Sequence, residues 1–335
     1  MKEIRDEIWV LADSRPGNYS QAVGLAEELD CTHKILNITY GNFAVLPNLL
    51  LRSSARGLSV DTKKSLMNLD YYPKLIISAG RRTAPISLYL KDKSDNRTKI
   101  VQIMNPGTSH KKFDFIILPR HDRIRNSFTN VIRSIGALTK INDSLIGHEV
   151  KRFEDKIELD SKKEKIVLLV GGDTKKTKFD LSSAQLLAKR MSKIVSNMGA
   201  QLIVLNSKRT AEKTINALIA DFSKHDLDYT FFDYNELSKD ENPYLALMGV
   251  ADYFVATGDS VSMISEVCST SKPVYIFDNA KISSKKHKKF HKSLLLDKYV
   301  RELDGNISAL SDKKLKKLDE TRRIAKIIKK ELFIK

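Results

Sequence analysis

The chain has 335 residues, 41% of them apolar, enough for a buried core and, at the usual domain size, for two domains. Its two cysteines, Cys31 and Cys268, form no disulfide or metal pattern, and "MKEIRDEIWVLADS" holds no long apolar run. A disulfide-stapled secreted module and a membrane-spanning protein are therefore not expected. Lys and Arg number 58 against 41 Asp and Glu, a net charge of +17 that favours anionic partners such as phosphorylated substrates or anionic lipid. A lysine-rich composition with no such partner gives the same excess.

In chain order, the apolar run "EIWVLADS" ends in the loop "RPGN". Ala22, Val23, Ala26 and Leu29 then repeat at helical spacing, so a helix is predicted from Tyr19 to Leu29, with Asn18 as N-cap and Gln21 closing a capping box. Alternation continues through "KLIISAG" and "RRTAPISLYLK", "KIVQIMN", and "FDFIILP" followed by "RHDRI". The charged stretch "VKRFEDKIELDSKKEK" reads as a linker. A second series follows: "KIVLLVGGD", a helix stopped by Gly199, "AQLIVLNS", "RTAEKTINALIADF", "YTFFDY", and then "ADYFVATGDSVSMISEVCSTSKPVYIF", which reads as strand, glycine turn, helix, strand. Strands alternating with helices predict parallel sheets covered on both faces. "KISSKKHKKFHKSLL" is lysine-rich, and Ser311 to Lys335 reads as one amphipathic helix with Leu315, Leu318, Ala325, Ile328 and Leu332 as its stripe.

Ligands of open parallel sheets bind at the carboxyl ends of the strands, so the loops there are the candidates. In "TGDSVSMISE", Gly258 is expected to permit the turn, and Ser260 and Ser262 to cap the helix and donate to a phosphate. Glu266, four residues past Ser262 and on the same helix face, suits the two hydroxyls of a ribose. Asp259 opposes a phosphate through like charge. Gly171 and Gly172 would let backbone N–H groups approach a phosphate, or form a plain tight turn. Arg81, Arg82 and Thr83 of "GRRTAP" suit a phosphate or carboxylate, or a solvated helix start. In "PRHDR", His121 and Asp122 are candidates for proton transfer. There is no GxGxxG, no GxxxxGK[ST], no HExxH, no CxxC and no interleaved aromatic platform, so dinucleotide, P-loop, zinc and nucleic-acid readings are disfavoured.

The segments "DSRPGNYSQAVGLAEEL", "SAGRRTAPISLYLK", "KKFDFIILPRHDRI", "NSKRT", "ENPYLALMGVADYFVATGDSVSMISEVCSTSKPVYIF" and "KKFHKSLL" resemble, in order, the mitochondrial fission ELM1 family over nearly the whole chain. "TGDSVSMISE" is the most specific of them. The resemblance implies an α/β GT-B-like fold with two Rossmann-like domains facing across a cleft and a C-terminal helix crossing back to the first. The domains it implies are residues 1–155 (acceptor), 163–280 (donor) and a basic segment and helix, 281–335.

By similarity to MurG-type transferases, Gly171, Gly172, Ser207, Arg209, Gly258, Asp259, Ser260, Ser262, Met263 and Glu266 form the implied nucleotide-binding set. Asn18, Arg81, Arg82, Thr83 and His121 fall on the acceptor side, and Asp13 and Asp122 are the candidate bases. Where the MurG-type pattern ends its first loop in histidine, this chain has Gly17 and Asn18, which leaves no histidine base there. Ser271 stands where such segments often have glycine. The implied function is a glycosyltransferase with a nucleotide-diphosphate sugar donor, no cofactor or metal, and a cell-envelope lipid or saccharide acceptor. The alternative is a non-catalytic scaffold in membrane or organelle division. A cytoplasmic location is expected, with salt-sensitive attachment to an anionic membrane face through the lysine-rich segments.

Overall fold

The computed structural model describes residues 2–332 except 123, 125–127 and 239. The chain forms two compact units, one of residues 1–140 and 319–335, the other of residues 141–318.

The first unit is built from β1 (Glu3–Asp13), α1 (Pro16–Glu28), β2 (His33–Ile38), α2 (Asn48–Leu51), α3 (Val60–Met67), β3 (Tyr71–Ala79), α4 (Ala84–Lys93), β4 (Lys99–Ile103), β5 (Phe115–Pro119) and β6 (Val131–Ser134). Its sheet runs β2-β1-β3-β4-β5-β6 with every pair parallel. Strand residues alternate between the two faces. Ile8, Val10, Leu75 and Ile77 therefore meet Ala22 and Leu25 of α1 and Leu29 at its end, while Trp9, Leu11 and Ile76 meet Ile86 and Leu90 of α4. Burial on both faces explains why these strands read as unbroken apolar runs.

α1 starts at Pro16 rather than Tyr19, and its N-cap is Arg15, which makes no side-chain cap bond. Proline suits the first helical position because that N–H would be unpaired anyway. The expected Asn18–Gln21 capping box is absent: Asn18 lies within the helix, and Gln21 Nε2 donates to Gly17 O at 2.9 Å.

The second unit holds α5 (Asp143–Arg152), β7 (Lys165–Leu169), α6 (Leu181–Met198), β8 (Gln201–Leu205), α7 (Glu212–Lys224), β9 (Tyr229–Phe232), α8 (Tyr244–Val250), β10 (Tyr253–Thr257), α9 (Val261–Cys268), β11 (Val274–Phe277), α10 (Lys285–Leu296) and β12 (Arg301–Glu302). Its sheet, also all parallel, runs β12-β11-β10-β7-β8-β9. Asp180 caps α6 by accepting from Ser183 N at 3.0 Å, and Gly199 ends it in the left-handed region at φ 58°, the stop that the sequence predicts.

The charged stretch 150–165 is not the linker. Its first residues complete α5, which packs on α8 within the second unit, and the division between units falls at 140/141. The lysine-rich segment 281–318 likewise belongs to the second unit.

The last helix, α11 (Glu320–Leu332), belongs to the first unit and packs on α1 through Ile324, Ala325 and Ile328. It is shorter than predicted. Residues 311–319 are not helical, so Leu315 lies outside the stripe, and Leu318 N donates to Cys268 O at 2.9 Å. The predicted residues 333–335 lie outside the described residues. Among the described residues, no helix is long and apolar enough to cross a membrane.

Candidate functional site

Each sheet has one place where neighbouring strands send their connections to opposite sides, and ligands of such sheets bind there, beyond the strand carboxyl ends. In the second unit this switch point lies between β7 and β10. The loops that follow these strands carry Gly171–Gly172 and Gly258–Asp259–Ser260.

The two loops are bonded to each other. Gly171 N donates to Thr257 Oγ1 at 2.7 Å, and Gly172 N to Asp259 Oδ2 at 3.0 Å. Thr257 Oγ1 in turn donates to Asp259 Oδ1 at 2.6 Å, and Arg209 Nη2 to Asp259 Oδ2 at 2.7 Å. Arg209 also donates to the carbonyls of Gly172 and Asp173, at 2.9 and 3.0 Å. Ser207 Oγ accepts from Arg209 N at 3.3 Å. A Cβ on Gly171 would lie 2.1 Å from Asp259 Oδ1, and one on Gly172 2.0 Å from Arg209 O, so both glycines exist for close approach.

This corrects the expected roles. The N–H groups of Gly171 and Gly172 are taken by Thr257 and Asp259 and do not face a phosphate. Asp259 is a buried brace whose charge Arg209 matches, so it adds no uncompensated like charge at the turn.

What remains open is the start of α9. Ser260 is its N-cap and accepts from Met263 N at 3.3 Å, while the main-chain N–H groups of Val261 and Ser262 have no acceptor among the described residues. The first N–H groups of any helix lack internal partners and carry positive potential. Ser262 adds its hydroxyl, and it does not cap. Glu266, half-buried one turn on, accepts from the Tyr244 hydroxyl at 2.5 Å. Burial, together with the charge of Glu266, pushes the Tyr244 phenol well above its usual range, so it remains a donor.

Gly258 does not have positive φ. It is required for packing: a Cβ there would lie 2.7 Å from both His291 Cε1 and Ser283 Oγ. Gly258→Ala is expected to destabilise the protein by about 1–2 kcal/mol through overpacking, measurable as a lower denaturant midpoint; an unchanged midpoint would contradict the tight fit. Ser271, by contrast, does sit in the left-handed region at φ 66°. Ser271→Gly is expected to stabilise by about 0.5–1 kcal/mol, since glycine avoids the Cβ clash at some cost in chain entropy. A melting temperature that falls in this variant would refute it.

In the first unit the switch point lies between β1 and β3. Asp13, at the end of β1, is buried, and its oxygens accept from Arg15 N at 3.1 Å and Asn18 Nδ2 at 2.9 Å. Gly80, at φ 86°, follows β3, and Asn18 Nδ2 would lie 2.6 Å from a Cβ there. Arg82 stacks over Tyr40 at 5.2 Å, and burial and the charge of Asp13 raise the Tyr40 phenol.

Two expected acceptor-side residues are used internally. Arg81 donates to Leu46 O at 2.6 Å and Asn48 Oδ1 at 3.2 Å, and Thr83 is fully buried with its hydroxyl on Ala79 O at 3.0 Å. His121 and Asp122 form a turn after β5, two strands out from β3, so Asp13 and Asp122 do not share a switch point. His121 is buried, and Arg133 Nη2 donates to Asp122 O at 2.7 Å.

Sequence reasoning missed Tyr244, Thr257, Asp278 and His291. "YIFDNA" carries a signal for Asp278, an acid directly after an apolar strand, but the Tyr244 contact spans 22 residues with no local pattern.

The model of the family described as mitochondrial fission ELM1 matches residues 16–332. An uncharacterized protein of Rickettsia prowazekii, RP120, is 32% identical over 98% of this chain and 99% of its own length. The mitochondrial fission protein ELM1 of Arabidopsis thaliana is 26% identical over 78% of this chain, which spans only 64% of that relative. Among solved structures, a UDP-GlcNAc 2-epimerase of Methanocaldococcus jannaschii matches with TM-score 0.54 and 12% identity over 97% of this chain and 99% of that one. MurG of Acinetobacter baumannii matches with TM-score 0.50 and 11% identity, over 97% and 100%. The chain belongs to the mitochondrial fission ELM1 family, and its two parallel α/β units have the GT-B fold.

Proposed function

We propose that the second unit binds the diphosphate and ribose of a nucleotide sugar at the start of α9, and that the protein is a glycosyltransferase. The observation that carries this is the open α9 terminus at the switch point, with Glu266 held one turn away by Tyr244. The diphosphate lies against Val261 N, Ser262 N and the two serine hydroxyls, and Glu266 accepts the ribose hydroxyls. Gly171, Gly172, Arg209 and Asp259 hold the turn rigid, which lowers the ordering cost of binding. The fold shared with MurG and a UDP-GlcNAc 2-epimerase supports the nucleotide-sugar class. The acceptor falls to the first unit, where Asp13 is the candidate base, and a cell-envelope lipid or saccharide is the class proposed.

In this reading the helix terminus stabilises the leaving diphosphate, as a divalent ion does in metal-dependent transferases. Among the described residues, no group of three His, Cys, Asp or Glu side chains is placed to hold a metal ion. Titration calorimetry with UDP, ADP and GDP tests the proposal: at least one is expected to bind equally well with and without EDTA. Binding that vanishes with EDTA and returns with Mn²⁺ would contradict metal independence, and failure of all three would remove the nucleotide assignment. The name of the Arabidopsis relative favours a second reading, a non-catalytic scaffold. Its signature is nucleotide binding with no turnover of any nucleotide sugar.

A further inference from the structure

A cavity of about 330 Å³ lies in the second unit between α10 and the β11–β12 edge. Lys288, His291, Lys292 and Leu295 line it from α10, Ile276, Asp278, Asn279 and Ala280 from β11 and the loop after it, and Glu302 from β12. The four α10 residues are spaced i, i+3, i+4 and i+7, and so share one helix face. Gly258, Asp259, Ser260 and Glu266 do not line it.

His291 is only 4% exposed. Its Nδ1 bonds Asp278 Oδ2 at 3.0 Å, while His291 Nε2 and Asp278 Oδ1 are buried without partners. The carboxylate fixes the tautomer with hydrogen on Nδ1, leaving Nε2 as an open acceptor. Burial alone would raise the Asp278 carboxyl, but the His291 hydrogen bond and the charge of Lys288 hold it below the usual carboxylate range. Neither Lys288 nor Lys292 is ion-paired among the described residues.

We propose that this cavity is a second ligand site, for a phosphorylated sugar. Lys288 and Lys292 take the phosphate, a ligand hydroxyl donates to His291 Nε2, and Glu302 accepts a further hydroxyl. Ile276, Ala280 and Leu295 cover the apolar face of the sugar ring. The volume is at the small end of ligand pockets, which suits one phosphorylated monosaccharide and not a whole nucleotide sugar. The site stands on the geometry of α10 and β11, independently of nucleotide binding at α9.

The test uses the full chain, with glucose 6-phosphate, glucose and inorganic phosphate as probes, followed by calorimetry and by the ¹⁵N shift of His291 Nε2. Glucose 6-phosphate is expected to bind better than glucose or phosphate and to move the Nε2 resonance. UDP is expected not to displace it. The exposed pair Lys288→Ala/Lys292→Ala, which keeps the fold, is expected to weaken it about tenfold or more, while Glu266→Gln leaves it unchanged. Undiminished binding in the lysine variant, displacement by UDP, or a still Nε2 resonance would each overturn the site. So would glucose 6-phosphate failing to bind while anionic vesicles bind the wild type but not the lysine variant, because the lysines would then serve a membrane surface.

Discussion

Asp259→Ala is expected to lower stability by about 2–4 kcal/mol, the largest single effect in the second unit. The carboxylate is 1% exposed and accepts from the Gly172 N–H, the Thr257 hydroxyl and the Arg209 guanidinium. Removing it leaves one backbone donor unpaired in the interior, and each such loss costs about 1–3 kcal/mol. The full penalty of a broken buried ion pair does not apply, because the Arg209 side chain is 39% exposed and can turn to water. Asp259→Asn keeps the shape and some of the hydrogen bonds, and so is expected to cost less. Urea unfolding of the three proteins checks the order, and a loss below about 1 kcal/mol in the alanine variant would mean that the brace is dispensable.

The architecture was legible because parallel strands buried on both faces read as short apolar runs, as in "KLIISAG" and "KIVLLVGG". Helix ends were legible where one signal dominated, as with Gly199 at the end of α6. They were not where two competed. Asn18 and Gln21 imitate a capping box, but Pro16 starts α1 three residues earlier than Tyr19 and sends Asn18 inward to hold Asp13. The lysine-rich residues 311–319 have helical composition, yet Leu318 is tied to Cys268 through the main chain.

The candidate site divides in the same way. Gly258, Ser260 and Glu266 were visible because they lie within nine residues of each other, on one turn and one helix. The bracing was not visible, because it depends on strand order. β7 and β10 are neighbours in the sheet, so Gly171 meets Thr257 across 86 residues of sequence. No local spacing records that adjacency. For the same reason Arg81 and Arg209 look alike in sequence, each a basic residue in a loop after a strand, while both prove to hold main-chain carbonyls.

Glu266→Gln is expected to weaken nucleoside-diphosphate binding by about 1.5–3 kcal/mol, the range for hydrogen bonds to a charged group, or roughly 10- to 150-fold in Kd. The amide keeps the size of the side chain but replaces one acceptor oxygen by a donor and removes the charge. A ribose diol presents two donors, so an N–H facing one of them is mismatched. Tyr244 refines the expectation. Its hydroxyl donates to Oε2 at 2.5 Å, which fixes the carboxylate rotamer. Tyr244→Phe therefore keeps the charge and loses only the orientation, and is expected to cost about 0.5–1.5 kcal/mol. The double variant should cost less than the sum, because the tyrosine acts through the carboxylate. Calorimetry with the tightest-binding nucleotide gives all four corners of this cycle. The corresponding 2′,3′-dideoxynucleotide supplies the control: its affinity should be low and the same in wild type and Glu266→Gln. Equal affinity of the natural nucleotide for those two proteins would sink the ribose assignment, and strict additivity in the cycle would sink the role given to Tyr244.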